Sequence, residues 1–224
     1  MGVAIMSAGT DASTYANNYL PPVSGPLAWG NLESSAVQDN RRLRNWGSAG
    51  GSFALSGVAQ LVATGVSAVA GTQSTMSLGS FSTDTFTMIA LVDVGVNAAI
   101  MRNRNIRIYT DASKKLFRLM DGGGVTSDIT APETGAFVVF IAGDLTGHSF
   151  GMINKAGVKK STSTAVSSGN IAASIGGNNG NGVAAAWAAY SCAFYGRVLT
   201  DAEMMQVANR MLARAKYLGV TVNG

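Results

Sequence analysis

The chain has 224 residues, of which 47 % are apolar and only 12 % charged, with 28 glycines, one cysteine and one histidine. That length suits one domain with a sizeable core, and a charged share about half the usual one points to surface buried against other subunits. The formal net charge of +4 is scattered in small groups without a nucleic-acid motif; a lone cysteine excludes a disulfide framework, and no apolar run is long enough to span a membrane.

Residues 1–28 show no sustained period and hold three of the four prolines, Pro21, Pro22 and Pro26, after Tyr15, Tyr19 and Leu20. Proline stiffens a chain and withholds a ladder donor. This reads as an N-terminal arm, either a strap on its own domain or a segment docked on a neighbouring subunit. The start lacks the basic and apolar regions of a signal peptide. Residues 29–224 read as one domain. Trp29 to Trp46 is expected to form a short helix or loop followed by the first strand, and Gly47 to Gly51 a turn. Residues 53–60 and 61–69 read as two short strands or a strand and a loop, and 76–81 as a short strand, with glycines as breaks.

Phe86 to Val94 is the strongest strand of the first half: Phe86, Met88, Ala90, Val92 and Val94 share one face, Ile89 and Leu91 the other. Apolar residues on both faces predict a central strand. Residues 104–109 and 116–120 form a hairpin around Thr110 to Ser113, with Ile106 and Ile108 opposite Arg107 and Tyr109. Asp121 to Gly124 is a turn, 137–142 a buried strand, and 149–154 pairs with 158–164 around Asn154 to Gly157. Residues 171–175 lead into the glycine-rich turn Gly176 to Gly182. The strand spacing, with no internal repeat, is that of an all-β sandwich.

The run Val183 to Val198 is uncharged on both alternating faces. It predicts a strand covered on both sides, with Val183, Ala185, Trp187, Ala189, Ser191, Ala193 and Tyr195 sharing one face. A helix over about 201–216 follows. Thr200 and Glu203 have the spacing of a capping box, and Met204, Val207, Ala208, Met211, Leu212 and Ala215 make one apolar stripe. Acidic Asp201 and Glu203 near its start and basic Arg210, Arg214 and Lys216 near its end complement the helix dipole.

The segment IGGN…G…AAWAAYSCAFYGRVLTDAEM resembles the closing segment of concanavalin A-like (laminin G-like) jelly-roll domains. There the last core strand steps into a short helix through (Y/F)-x-R-x-L-(S/T)-x-x-E, here Tyr195, Arg197, Leu199, Thr200 and Glu203. Asn45 to Gly57 and Phe86 to Val94 resemble the family's early strands more loosely. The resemblance implies a two-sheet antiparallel β-sandwich, a concanavalin A-like jelly roll with a short C-terminal helix. The Ala- and Gly-rich style is similar to such domains in tailed bacteriophages and prophages.

The residues offer little chemistry. His148, the only histidine, follows Gly147 in an expected loop, with nothing to tie it to Cys192 or a serine as a catalytic set. Cys192 reads as a small buried residue, and structural zinc lacks ligands. No cofactor is expected. Laminin G-like domains bind calcium at strand-end rims, and Asp93, Asp111, Asp121, Asp128 and Asp144 stand at strand ends or turns, although such aspartates usually bond their own backbone. The paired carboxylates of a jelly-roll glucanase are missing, so the chain is expected not to be an enzyme. Gly176 to Gly182 lacks the Gly-Lys-Ser/Thr ending of a phosphate loop and reads as a turn.

For sugar binding, an exposed ring beside polar amides is the usual arrangement. Trp29, Trp46 and Trp187 are the tryptophans available. Trp187 is assigned to the core, and Trp46 with Asn178, Asn179 and Asn181 forms the candidate glycan site. The small basic groups, among them Arg102, Arg104 and Arg107, read as solvated hairpin charge or as a patch facing an acidic partner such as a capsid or a polyanionic glycan. The resemblance therefore implies a bacteriophage virion structural protein (tail, baseplate, fibre or capsid decoration), assembled in the host bacterial cytoplasm through contacts with itself and other virion proteins. The alternative is a carbohydrate-binding lectin module for a host surface glycan. Neither involves nucleic acid or membrane insertion.

Overall fold

The computed structural model describes residues 20–120, 123–164, 172–177 and 184–223. Its strands are β1 (Pro26–Asn31), β2 (Ala54–Ser56), β3 (Gln60–Leu61), β4 (Val66–Ala68), β5 (Thr75–Gly79), β6 (Phe86–Val94), β7 (Ala99–Asn103), β8 (Ile106–Thr110), β9 (Lys115–Met120), β10 (Gly123–Thr130), β11 (Phe137–Gly143), β12 (His148–Asn154), β13 (Gly157–Ser163), β14 (Ala173–Gly176) and β15 (Trp187–Tyr195). Two helices, α1 (Asp39–Arg42) and α2 (Asp201–Tyr217), complete the described elements. The first sheet has eight strands in the order β13, β12, β11, β6, β15, β4, β3, with β1 also beside β15. The second has seven, in the order β10, β9, β8, β7, β14, β5, β2. All strand pairs are antiparallel, as the alternating patterns require of a two-sheet sandwich.

Strand β6 behaves as its sequence predicts. Phe86, Met88, Ala90, Val92 and Val94 enter the core between the sheets. Ile89 and Leu91 face the opposite side, where α2 lies. Neighbouring β11 repeats the division, with Phe137, Val139 and Ile141 inward and Val138 and Phe140 under the helix. The buried residues of α2 are Met204, Val207, Ala208, Met211, Leu212 and Ala215, the stripe read from the sequence. The first sheet is therefore sealed on both faces.

Strand β15 is fully engaged along both edges. It pairs with β6 on one side; on the other, β4 takes Trp187 to Ala189 and β1 takes Ser191 to Tyr195. It is shorter than the sequence implied, because Ala184 to Ala186 lie outside it and Val183 is not among the described residues. The facing also differs. Trp187 and Ala189 point into the inter-sheet core, but so do Cys192 and Phe194, while Ala193 and Tyr195 point to the helix. The register shifts between Ala189 and Ser191, which inserts Tyr190 as an extra residue. A bulge of one residue inverts the parity of everything beyond it, so a strict alternation could not hold.

The first strand also comes earlier than expected, at Pro26 rather than after Trp46. Proline is tolerated at the first position of a strand. Trp29 is buried in the helix-side cluster, and its backbone N–H donates to Asn45 Oδ1 at 3.0 Å. Gly30 is required by close packing, since a Cβ there would lie 2.2 Å from the Phe53 ring.

The step from β15 to α2 is locked by hydrogen bonds. Tyr195 OH donates to Val23 O at 3.1 Å; Thr87 Oγ1 donates to Arg197 O at 2.9 Å and accepts from Leu199 N–H at 2.9 Å. Thr200 and Glu203 make the capping box reciprocally. Arg197 grips the Glu203 carboxylate with two bonds of 3.0 and 2.7 Å. Arg197 and the Thr200 N–H together pull the Glu203 carboxyl down from 4.5 to about 2. At the far end of the helix, Arg214 pairs with buried Glu33.

Candidate functional site

The residues singled out in the sequence fall in different places. Trp187 lies in the core, with Nε1 donating to Ser74 O at 3.1 Å. Trp46 is half-buried against the helix-side cluster, with the Arg44 guanidinium 4.5 Å from its ring centre. Asn178, Asn179 and Asn181 lie outside the described residues.

The aspartates are mostly engaged locally. Asp144 Oδ1 accepts from Thr146 N–H, Thr146 Oγ1 and Gly147 N–H at 2.7, 2.7 and 3.0 Å, and these bonds lower its carboxyl. Asp111 Oδ1 accepts from Ser113 and Lys115 N–H. Asp128 lies 3.7 Å from Lys115 Nζ, and Asp121 is outside the described residues. Among the described residues no three His, Cys, Asp or Glu side chains converge on a metal-sized site. His148 is buried in β12 rather than held in a loop. Cys192 is three strand positions away, roughly 14 Å across the sheet. Burial pushes the Cys192 thiol up, which keeps it a thiol.

A concavity on the outer face of the second sheet, a cavity of about 250 Å³, opens over β5, β7, β8 and β14. Strand register makes it. Arg107 on β8 stands directly opposite Arg102 on β7, Arg102 opposite Ser174 on β14, and Ser174 opposite Ser77 on β5. Directly opposed residues hold their Cβ atoms about 5 Å apart on one face. Arg102, Arg107 and Ser174 line the cavity with Gln73 and Thr75, and none of the described lining residues is acidic. Small Ala99 and Gly176 leave the depression.

The surroundings are fixed. Gly176 has φ +80°, and a Cβ there would lie 2.3 Å from the Trp187 indole, so the pocket and the inter-sheet core meet at this residue. Ser74 O accepts from both Gly177 N–H, at 2.8 Å, and Trp187 Nε1. Arg102 Nε donates to Arg104 O at 3.0 Å, a carbonyl set by the two-residue turn between β7 and β8, where Arg104 has φ +56°. One register row away Tyr109 packs against Phe117 with ring centres 5.1 Å apart, and burial raises the Tyr109 phenol to about 12 despite the opposing pull of Arg107 and Arg118.

No protein-family model and no curated protein matches the chain. Solved structures do. The botulinum neurotoxin serotype C1 binding domain is 10 % identical, with a TM-score of 0.58 over 84 % of this chain and 52 % of its own. The binding domain of botulinum neurotoxin DC, solved in complex with SialylT, is 10 % identical with a TM-score of 0.60 over 85 % of this chain and 52 % of its own. A mutant Trypanosoma rangeli sialidase displaying trans-sialidase activity is 12 % identical, with a TM-score of 0.60 over 92 % of this chain and 38 % of its own. The chain shares a jelly-roll sandwich with these proteins. It spans about half or less of their length, and identities this low speak to the fold alone.

The sequence missed the pocket for a definite reason. Gln73, Thr75, Arg102, Arg107 and Ser174 come from four separate segments, and only register places them side by side. The one local signal was the Arg102, Arg104 and Arg107 cluster. The structure divides it, turning Arg102 and Arg107 onto the sheet face and burying Arg104 beside Thr83 O.

Proposed function

We propose that this chain is a carbohydrate-binding module and that the sugar occupies the pocket on the outer face of the second sheet. The observation that carries this reading is the convergence of Gln73, Thr75, Arg102, Arg107 and Ser174 around one cavity of about 250 Å³. Hydroxyl, amide and guanidinium groups on rigid strands suit the hydroxyl-rich edge of a sugar ring. The jelly-roll neighbours that are named as binding domains, one of them in complex with SialylT, support the same reading. Glycan-array screening of the purified chain, followed by calorimetric titration of the hits, tests it. Saturable binding that weakens in Ser174→Ala and Thr75→Ala is expected; a chain that binds no glycan overturns it.

A structural role in a bacteriophage virion, through assembly with itself and other virion proteins, is the second reading. What favours it is the small charged share of 12 % together with exposed Val58, Val69 and Val96. Light scattering separates the two: a stable symmetric oligomer indifferent to glycans supports assembly, whereas a glycan-binding monomer supports the lectin.

A further inference from the structure

We infer that this chain binds a primary alkylammonium group in a recess at one corner of the first sheet, on the Asp93 carboxylate beside Tyr190. The recess is on the opposite side of the sandwich from the sugar pocket and does not rest on the carbohydrate reading. It is a cavity of about 390 Å³ where the chain beyond α2 meets β6, β15 and the turn at 62–65. Asp93 continues the outward row of Ile89 and Leu91 on β6. The bulge in β15 adds Tyr190 on the same side, where it packs against the helix-side cluster and lines the recess. Both walls are pinned. The buried Arg42 guanidinium donates to Glu33 O, Val62 O and Gly65 O. Beyond α2, Val220 N–H donates to Ala215 O at 2.9 Å, and Thr221 O accepts from Ala136 N–H at 2.9 Å. Little ordering is therefore left for a ligand to impose.

The charge of the recess has one sign. The Asp93 carboxylate is half-buried and, among the described residues, makes neither a hydrogen bond nor an ion pair. The described lining holds no Lys, Arg or His. Burial, and after it the Asp93 charge, raises the Tyr190 phenol, so the hydroxyl keeps its proton beside the carboxylate. A partly desolvated carboxylate gains most from a cationic hydrogen-bond donor. A primary ammonium carries three N–H donors, and the carboxylate and the hydroxyls of Tyr190, Thr64 and Thr221 supply acceptors around one cavity. The alkyl limb has a place as well. Strand register puts Ser67, Ala188 and Asp93 in one row across β4, β15 and β6. A second cavity of about 300 Å³, over Ala186 and Ala188, shares Asp93 with the first. The small side chains leave room for methylenes beside the carboxylate.

The test is an NMR titration of the isotope-labelled whole chain with pentylammonium, N-acetyl-lysine amide, choline, pentanol and lactose. The two primary ammonium probes are expected to shift the amides of Asp93, Tyr190 and Thr221 saturably and to bind about tenfold tighter than pentanol, an advantage that shrinks as salt rises. The tighter of the two tells a free amine from a lysine side chain. Asp93→Asn brings ammonium and alcohol level while leaving the melting temperature near that of the parent. Tyr190→Phe keeps the ring, loses the hydroxyl and weakens the ammonium about threefold. Equal binding of pentylammonium and pentanol, or an ammonium advantage that survives Asp93→Asn, overturns the inference. Choline binding as tightly as the primary probes overturns the hydrogen-bonded ammonium, and lactose shifting these same amides overturns it in favour of a second sugar site. Ammonium-induced shifts confined to other parts of the parent chain overturn it without any variant.

Discussion

The first sheet is covered on both faces, the second on one. Strands β6, β11 and β15 bury one row of side chains against the second sheet and the other under α2. The strands of the second sheet bury one row and turn the other outward, and the main contacts of α2 are with β6, β11, β12, β13 and β15 of the first. The difference teaches which sheet holds the domain together and which keeps a face open. Charged residues opposed across two strands, such as Arg102 and Arg107, are tolerable only on a face that still meets solvent or ligand. The covered sheet holds the domain together, and the half-covered sheet is free to carry a site.

Substitutions on the two outer faces should separate these roles. Phe140→Ala, beneath the helix, is expected to cost about 3–5 kcal/mol of stability in urea titration, whereas Arg107→Gln should stay within about 0.5 kcal/mol of the parent. Comparable losses at both positions would break the contrast. Gly176→Ala probes the seam where pocket and core meet. With φ +80° and the Trp187 indole in the way, it should cost about 1–3 kcal/mol and shift tryptophan fluorescence.

Thr200→Ala removes the cap that seats α2 on the covered sheet, and a loss of about 1 kcal/mol by thermal melting is expected. The Glu203 partner adds a pH dependence. Its carboxyl is held at about 2 against 4.5 in the unfolded chain, so its contribution is present above 4.5 and disappears as pH falls towards 2. Glu203→Gln should therefore differ from the parent near neutrality and converge with it in acid, measured as urea midpoints. A similarly small effect belongs to Lys160→Ala, which loses an exposed pair with Asp201 at 3.0 Å; a change under about 1 kcal/mol is expected.

Much of the covered sheet was legible in the residues. The two faces of Phe86 to Val94, the stripe of α2 and its Thr200–Glu203 box are all local patterns with a fixed period or spacing. What escaped were features created by one displaced residue or by distant pairing. Tyr190 slips the alternation of β15 with no glycine or proline to announce it. Pro26 and Gly30 disguise β1, whose place depends on an edge of β15 more than 150 residues away.

The sequence by itself determined strands such as β6, β8, β9, β11, β12 and β13, which segment is the long helix, and that the fold is a sandwich, because periodicity is written within a few neighbouring residues. Only the tertiary structure decided that Arg102, Arg107, Ser174 and Thr75 share one pocket. Register between strands remote in the chain is set by the packing of the whole core, and no short stretch of sequence contains it.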